Sequence, residues 1–298
     1  MNYAYFPGCS LESTAKEFDE STHLVAEALG IELVEITDWN CCGATSAHNL
    51  DHKLSVALPA RNLGIAESMG MDVVAPCAAC YNRMRSAEVE LKGNAKLRKE
   101  INTSLEKPFE GKISVKSGLE VFTTPEVLAQ VDGKVRKELT GLKPACYYGC
   151  LLVRPPKVLG FDDAENPQSL DKAMETIGAK PVEWYFKNEC CGASFGLSKS
   201  EIVVKLVGDI ISNAKKQGAN CIVTACPLCM TNLEMRQDAA GKLRGEDLTM
   251  PIFYFTELVG LAMEVPGVKK CFASHLVDVN SALDAIYKEV VETEPLKG

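Results

Sequence analysis

The chain has 298 residues, 46% hydrophobic and 24% charged, so a buried core is within reach and a disordered chain is excluded. A net charge of -8 argues against general nucleic-acid binding, which needs a basic footprint. No apolar run reaches the ~20 residues of a membrane helix, and the first residues, Met1 to Tyr5, lack a signal-peptide pattern. The length predicts about two domains of roughly 150 residues.

In chain order, residues 4–6 read as a short strand ending at Gly8-Cys9. An amphipathic helix over 13–29 follows, with Gly30 as its C-cap. A β-branched strand, 31–36, leads into Cys41-Cys42. A helix over 53–69 stops at Gly70, and a buried strand, 72–75, runs into Pro76-Cys77. Residues 106–143 are richer in Gly, Lys and Glu, contain a strand candidate at 113–115, and read as a bridge between halves. The second half repeats the order. Residues 145–148 lead to Cys150, and Asn166-Pro167 opens a helix ending near Gly178. Residues 181–185 form a strand leading to Cys190-Cys191, and a helix over 202–217 is closed by Gly218. A strand over 220–224 ends at Ala225-Cys226, and a further strand, 251–255, precedes a short helix from Thr256. Alternating strands and helices predict an α/β fold of two pseudo-repeated halves, 1–143 and 144–298. Each would hold a short, mostly parallel sheet flanked by helices, with cysteines at the carboxyl ends of strands. Ligands gather at those ends in open parallel sheets.

Thirteen cysteines without a leader point to metal or redox chemistry in a reducing, cytoplasmic compartment. Ten of them form one pattern used twice: Cys9, Cys41-Cys42, Cys77-x-x-Cys80, and then Cys150, Cys190-Cys191, Cys226-x-x-Cys229. Cys42 to Cys77 and Cys191 to Cys226 both span 35 positions, and four cysteines of each copy are related by a shift of 149. Gly8-Cys9 matches Gly149-Cys150, and Cys41-Cys42-Gly43-Ala44 matches Cys190-Cys191-Gly192-Ala193, so the chain contains an internal duplication. Each C-x-x-C opens a helix, whose N-terminus favours thiolates.

Three chemistries compete: incidental buried cysteines, four-thiolate zinc sites, and an iron–sulfur cluster in each half. Five thiolates per half, two of them adjacent, are awkward for one tetrahedral ion. A cluster of several irons accommodates them, although an ordinary cubane takes only four. Gly43 and Gly192 would let the backbone approach such a group closely.

The spacing Cys-x31-Cys-Cys-x34-Cys-x-x-Cys and its second copy resemble the CCG domain. Two tandem copies without a fused ferredoxin run are similar to the B subunit of heterodisulfide reductase from methanogenic archaea. The closing segment Phe255-Thr256-Glu257-Leu258-Val259-Gly260-Leu261 has that character too. The resemblance implies two non-cubane [4Fe-4S] clusters. One would be held by Cys9, Cys41, Cys42, Cys77 and Cys80, the other by Cys150, Cys190, Cys191, Cys226 and Cys229. It implies reduction of the coenzyme M–coenzyme B mixed disulfide lying between the clusters. Electrons would come from a flavin-bearing A subunit through a ferredoxin-like C subunit, with no nucleotide or flavin in this chain. Other CCG proteins are electron-transfer subunits for glycolate, lactate or glycerol-3-phosphate oxidation or sulfur oxidation, which is the alternative. A zinc-stabilised scaffold is the second alternative.

An anionic disulfide calls for cations near the site, and Lys53, Arg83, Arg154 and Lys199 follow the cysteine groups. Cys146, Cys221 and Cys271 read as core residues, with Cys146 a rival ligand. His48 and His52 are candidate proton donors, and His23 and His275 are too scattered for a metal motif. No nucleotide-binding glycine motif occurs.

Overall fold

The computed structural model describes residues 1–44, 47–284 and 286. The first half runs β1 (Asn2–Tyr5), α1 (Gly8–Ser13), α2 (Lys16–Ala28), β2 (Glu32–Glu35), α3 (Ala47–Leu50), α4 (His52–Met69) and β3 (Val73–Ala75). It continues with α5 (Ala78–Gly93), α6 (Ala95–Asn102), β4 (Val115–Ser117), α7 (Gly118–Phe122) and α8 (Pro125–Asp132). The second half holds β5 (Pro144–Tyr147), α9 (Ser169–Thr176), α10 (Ser200–Lys216), β6 (Cys221–Thr224) and α11 (Pro227–Met235). After these come α12 (Gln237–Arg244), β7 (Ile252–Tyr254), α13 (Phe255–Ala262) and α14 (Val268–Cys271).

The architecture is α/β with two parallel sheets, in the orders β2-β1-β3-β4 and β5-β6-β7. The β1, β3, β5 and β6 residues are almost all buried, as strands covered by helices on both faces must be. Register pairs Ala4 with Val73 and Ala75 with Ser117 in the first sheet. In the second it pairs Cys146 with Val223 and Thr224 with Tyr254. Asp51 caps α4 by accepting the Leu54 N–H, and Gly70 closes it at φ +71.

Three expectations need correction. The helix over 13–29 is two helices. α1 begins at Gly8, directly after the strand, and the chain turns at Thr14–Ala15, whose amides both donate to Ser10 O. The bridge also carries β4 at 115–117, two residues later than 113–115, and this strand completes the first sheet. Residues 181–185 are not a strand. Lys180 and Val182 donate to Leu142 O and Pro144 O as a parallel neighbour would, but the next acceptor, Cys146 O, is taken by the Trp184 indole at 3.1 Å. With that rung filled by a side chain, the backbone leaves the sheet.

The halves pack through each other. Phe18 of α2 stacks on Tyr254 at 4.2 Å between ring centres, and Ser21 and Thr256 hydroxyls meet at 2.7 Å. In return Asn82 of α5 donates to Leu151 O and Arg154 O, fixing the loop after Cys150.

Candidate metal centres

Every cysteine group follows a strand or the extended edge segment. Cys77 and Cys226 are the N-caps of α5 and α11, so Cys80 and Cys229 fall in the first turn of each helix. Cys9 and Cys150 follow β1 and β5. The Cys-Cys pairs occupy the loops after β2 and after residues 181–185.

The thiols meet in matching pairs. Cys42 Sγ lies 3.3 Å from Cys80 Sγ, and Cys191 Sγ lies 3.8 Å from Cys229 Sγ. Gly43 N–H points at Cys41 Sγ at 3.4 Å and Gly192 N–H at Cys190 Sγ at 3.3 Å; these glycines have φ +76 and +81. Asn232 Nδ2 adds a donor 3.6 Å from Cys191 Sγ. The mutual influence of the thiols shows in their acidity. Hydrogen bonding with the Cys80 thiol brings Cys42 down to about 7, and hydrogen bonding with Cys150 brings Cys190 down to about 6. Cys80 and Cys229, each hydrogen-bonded with two neighbouring thiols and buried, are held well above the ordinary thiol value. Burial raises Cys9, and the nearby charges of Cys41, Cys42 and Cys77 raise it further.

Two glycines are required by this geometry. Gly8 and Gly149 both sit at φ +66, and a Cβ on either would come within 2.8 Å of Cys80 Sγ or 2.9 Å of Cys229 Sγ. The repeated Gly-Cys dipeptide was the sequence signal for this role, beside the better-marked Gly43 and Gly192.

All five second-half cysteines line one cavity of about 550 Å³. Leu151, Phe195, Leu197 and Leu228 make its walls apolar, and Ala44, Asn49, Ala78 and Ala79 of the first half close it. Another cavity, of about 610 Å³, lies beside Trp184 and Tyr185 and has no cysteine among its described lining residues. Among the described residues no three cysteine, histidine or carboxylate side chains are placed to hold a single metal ion. Five thiols around one hollow, with a glycine cradle and backbone amides aimed at sulfur, fit a group of several metal atoms better than one zinc.

The remaining candidates separate. Lys53 is paired with Glu100, and Arg154 with Glu165 at 3.1 Å, so neither is a free cation at the site. Among the described residues Arg83 and Lys199 make no ion pair; Arg83 lies one turn beyond Ala79, and Lys199 follows Ser198 of the cavity wall. His52 pairs with Glu90 at 2.8 Å on the surface. The side chain of His48 lies outside the described residues. Cys146 and Cys221 are fully buried in β5 and β6, and burial raises both thiols. His275, unmarked in the sequence, is buried between Glu234 at 3.1 Å and Glu257 at 2.9 Å. Burial alone would lower its pKa, but the bonds to both carboxylates push it up to about 10.

The family described as CCG, cysteine-rich domain, matches residues 3–85 and 145–234, more than half the chain. The chain belongs to the CCG cysteine-rich domain family. It is 36% identical over 280 residues to the 8-methylmenaquinol:fumarate reductase membrane anchor subunit of Wolinella succinogenes, covering 93% of this chain and 97% of that one. It is 28% identical to the B subunit of the ferredoxin/F420H2-dependent CoB-CoM heterodisulfide reductase of Methanosarcina acetivorans. To the B subunit of the ferredoxin:CoB-CoM heterodisulfide reductase of Methanosarcina mazei the identity is 29%. Both alignments cover 87% of this chain and 88% of the relative. The resemblance to the heterodisulfide reductase B subunit therefore holds along most of the CCG chain. In fold it matches the crystal structure of a hypothetical protein from Helicobacter pylori, with a TM-score of 0.70 at 14% identity; it covers 93% of this chain and spans about half, 52%, of that one. Although the Wolinella relative is named a membrane anchor, no helix among the described residues is long and apolar enough to cross a membrane.

Proposed function

We propose that this CCG chain is a cytoplasmic iron–sulfur subunit of a multisubunit oxidoreductase and reduces the coenzyme M–coenzyme B mixed disulfide. Its two units are 1–143 and 144–298. Cys9, Cys41, Cys42, Cys77 and Cys80 would hold one [4Fe-4S] cluster, and Cys150, Cys190, Cys191, Cys226 and Cys229 the other, both of non-cubane type. The observation that carries the reading is the cavity lined by all five second-half cysteines and closed by the first half. When bound, the clusters supply electrons one at a time. The chain does the rest. Its apolar walls receive the sulfur–sulfur bond and exclude water. Arg83 and Lys199, unpaired among the described residues, attract the anionic ends of the substrate from opposite halves. Gly43 and Gly192 amides donate to sulfur at Cys41 and Cys190. A ferredoxin-like C subunit and a flavin-bearing A subunit would deliver the electrons, in keeping with the heterodisulfide reductase relatives.

A second reading is an electron-transfer subunit of another CCG oxidoreductase. Two observations favour it: among the described residues the cavity lining contains no Lys or Arg, and the Wolinella relative, at 36% identity, is named for methylmenaquinol and fumarate. The test is anaerobic purification with counts of iron, acid-labile sulfide and zinc, followed by turnover with reduced viologen. About eight irons per chain and reduction of the mixed disulfide support the first reading. Iron with turnover of a menaquinone analogue only moves the chain to the second. One or two zincs without sulfide defeat both.

A further inference from the structure

Two of the buried side-chain polar atoms that lack a hydrogen-bond partner among the described residues lie on one rung of the second sheet: Thr224 Oγ1 and Tyr254 Oη. Both residues are fully buried. A buried hydroxyl left unpaired is costly, so two side by side require an acceptor to account for them. The rung is the last of β6 and β7. Cys226 follows two residues after Thr224 and caps α11, which packs on β7. Tyr254 shares its rung with Thr224, which places both hydroxyls at the strand ends that lead into this cysteine site.

Among the described residues the first half is poorer in such donors. The residue equivalent to Thr224 is Ala75, which has no hydroxyl, and its partner on the rung is Ser117, whose oxygen accepts the Glu120 N–H at 3.0 Å as the cap of α7 and keeps one O–H to donate, so one hydroxyl stands on that rung against two in the second half. The two cysteine sites thus differ in donor supply although their thiol geometry matches. Hydrogen bonds to thiolate or sulfide stabilise the more negative, reduced state of a cluster and so raise its potential.

Resting on the function proposed above, we propose that the Thr224 and Tyr254 hydroxyls donate to sulfur at the second cysteine site. They thereby raise the potential there above that of the first site. An electron then passes from the first site, oxidised by one, to the second, reduced by one, on the side of the substrate cavity. The Glu234–His275–Glu257 group of the second half carries a net single negative charge while the imidazole is protonated and works in the opposite sense.

The test is an EPR-monitored redox titration of the iron-loaded chain, comparing the wild type with Tyr254→Phe, Thr224→Val and the double variant. Phe keeps the ring that stacks on Phe18, and Val keeps the shape of Thr. The second site is identified as the signal missing in Cys229→Ser. In the double variant its midpoint falls by an amount that changes the sharing of an electron between the sites about tenfold, about 59 mV for a one-electron couple. The first midpoint and the iron content stay unchanged, and each single variant gives part of the shift. Two unmoved midpoints, or an equal shift in both, overturn the inference and leave the function standing. Loss of iron from Tyr254→Phe overturns it too, because the hydroxyl would then serve assembly. A wild-type chain without iron overturns the function and the inference together.

Discussion

The two halves use the same five cysteines with the same glycines, yet they are built differently around them. In the first, β2 pairs fully with β1, and Lys92, Arg85 and the amide of Val115 converge on the buried Glu88. In the second, the edge strand is released by the Trp184 indole. The buried charges are Asp171 with Lys187, and His275 with its two glutamates. The position of Arg85 is taken by Glu234, that of Ala75 by Thr224. A duplicated ligand set therefore constrains only the sulfurs and the backbone that must reach them. The surrounding layer has been free to diverge, and with it the cavity, which opens onto the second set.

The largest test of that comparison removes one ligand at a time. Cys229→Ser and Cys80→Ser should each lose about half of the bound iron, measured by metal analysis. Substrate reduction should fall further than the roughly 10–100-fold that outer-layer changes cost at metal sites. If only one of the two variants loses iron, the halves are not equivalent as metal sites.

Next is the buried imidazole of the second half, held between two carboxylates. Replacing His275 by Gln leaves Glu234 and Glu257 buried without their cation and should cost about 3–5 kcal/mol in urea unfolding at neutral pH. The imidazole has a folded pKa of about 10 against an ordinary 6.5. Its contribution is thus complete below pH 6.5 and is lost as pH rises through 10. The groups facing it are Glu234 from α11, Glu257 from α13 and, more distantly, Glu17 from α2. The wild type should lose stability over that window, and the Gln variant should show no such slope from this site.

Smaller and symmetrical effects belong to the glycine cradles. Gly8→Ala and Gly149→Ala each force an L-residue to φ +66, at about 1–2 kcal/mol, and bring a methyl against Cys80 or Cys229. Both should lower the melting temperature and the iron content by similar amounts, and a cradle that tolerates Ala would separate the halves. The smallest effect is at Cys221. Its Ala variant should cost about 1 kcal/mol in urea unfolding with iron unchanged, as a packing residue does.

Much of this was legible in the residues. The 149-residue shift announced the duplication. The β-branched runs and Gly stops placed most helices and strands, and the strand ends located the cysteines. Three features escaped for physical reasons. The break at Thr14–Ala15 depends on a helix starting at Gly8, which has no propensity signature. Residues 181–185 have strand composition, but a side-chain indole competes for their hydrogen bond. Tyr254, Thr224 and His275 gain their meaning from neighbours distant in the chain, so no local pattern reveals them. Lys53 and Arg154 read as available cations until folding supplied Glu100 and Glu165.

By itself the sequence determined the α/β class, the two matched cysteine sets and the CCG family, because spacing and repetition are properties of the chain. Only the tertiary structure decided which set faces a cavity, which cations remain unpaired and where buried hydroxyls lack partners, because these depend on which distant segments exclude water from one another.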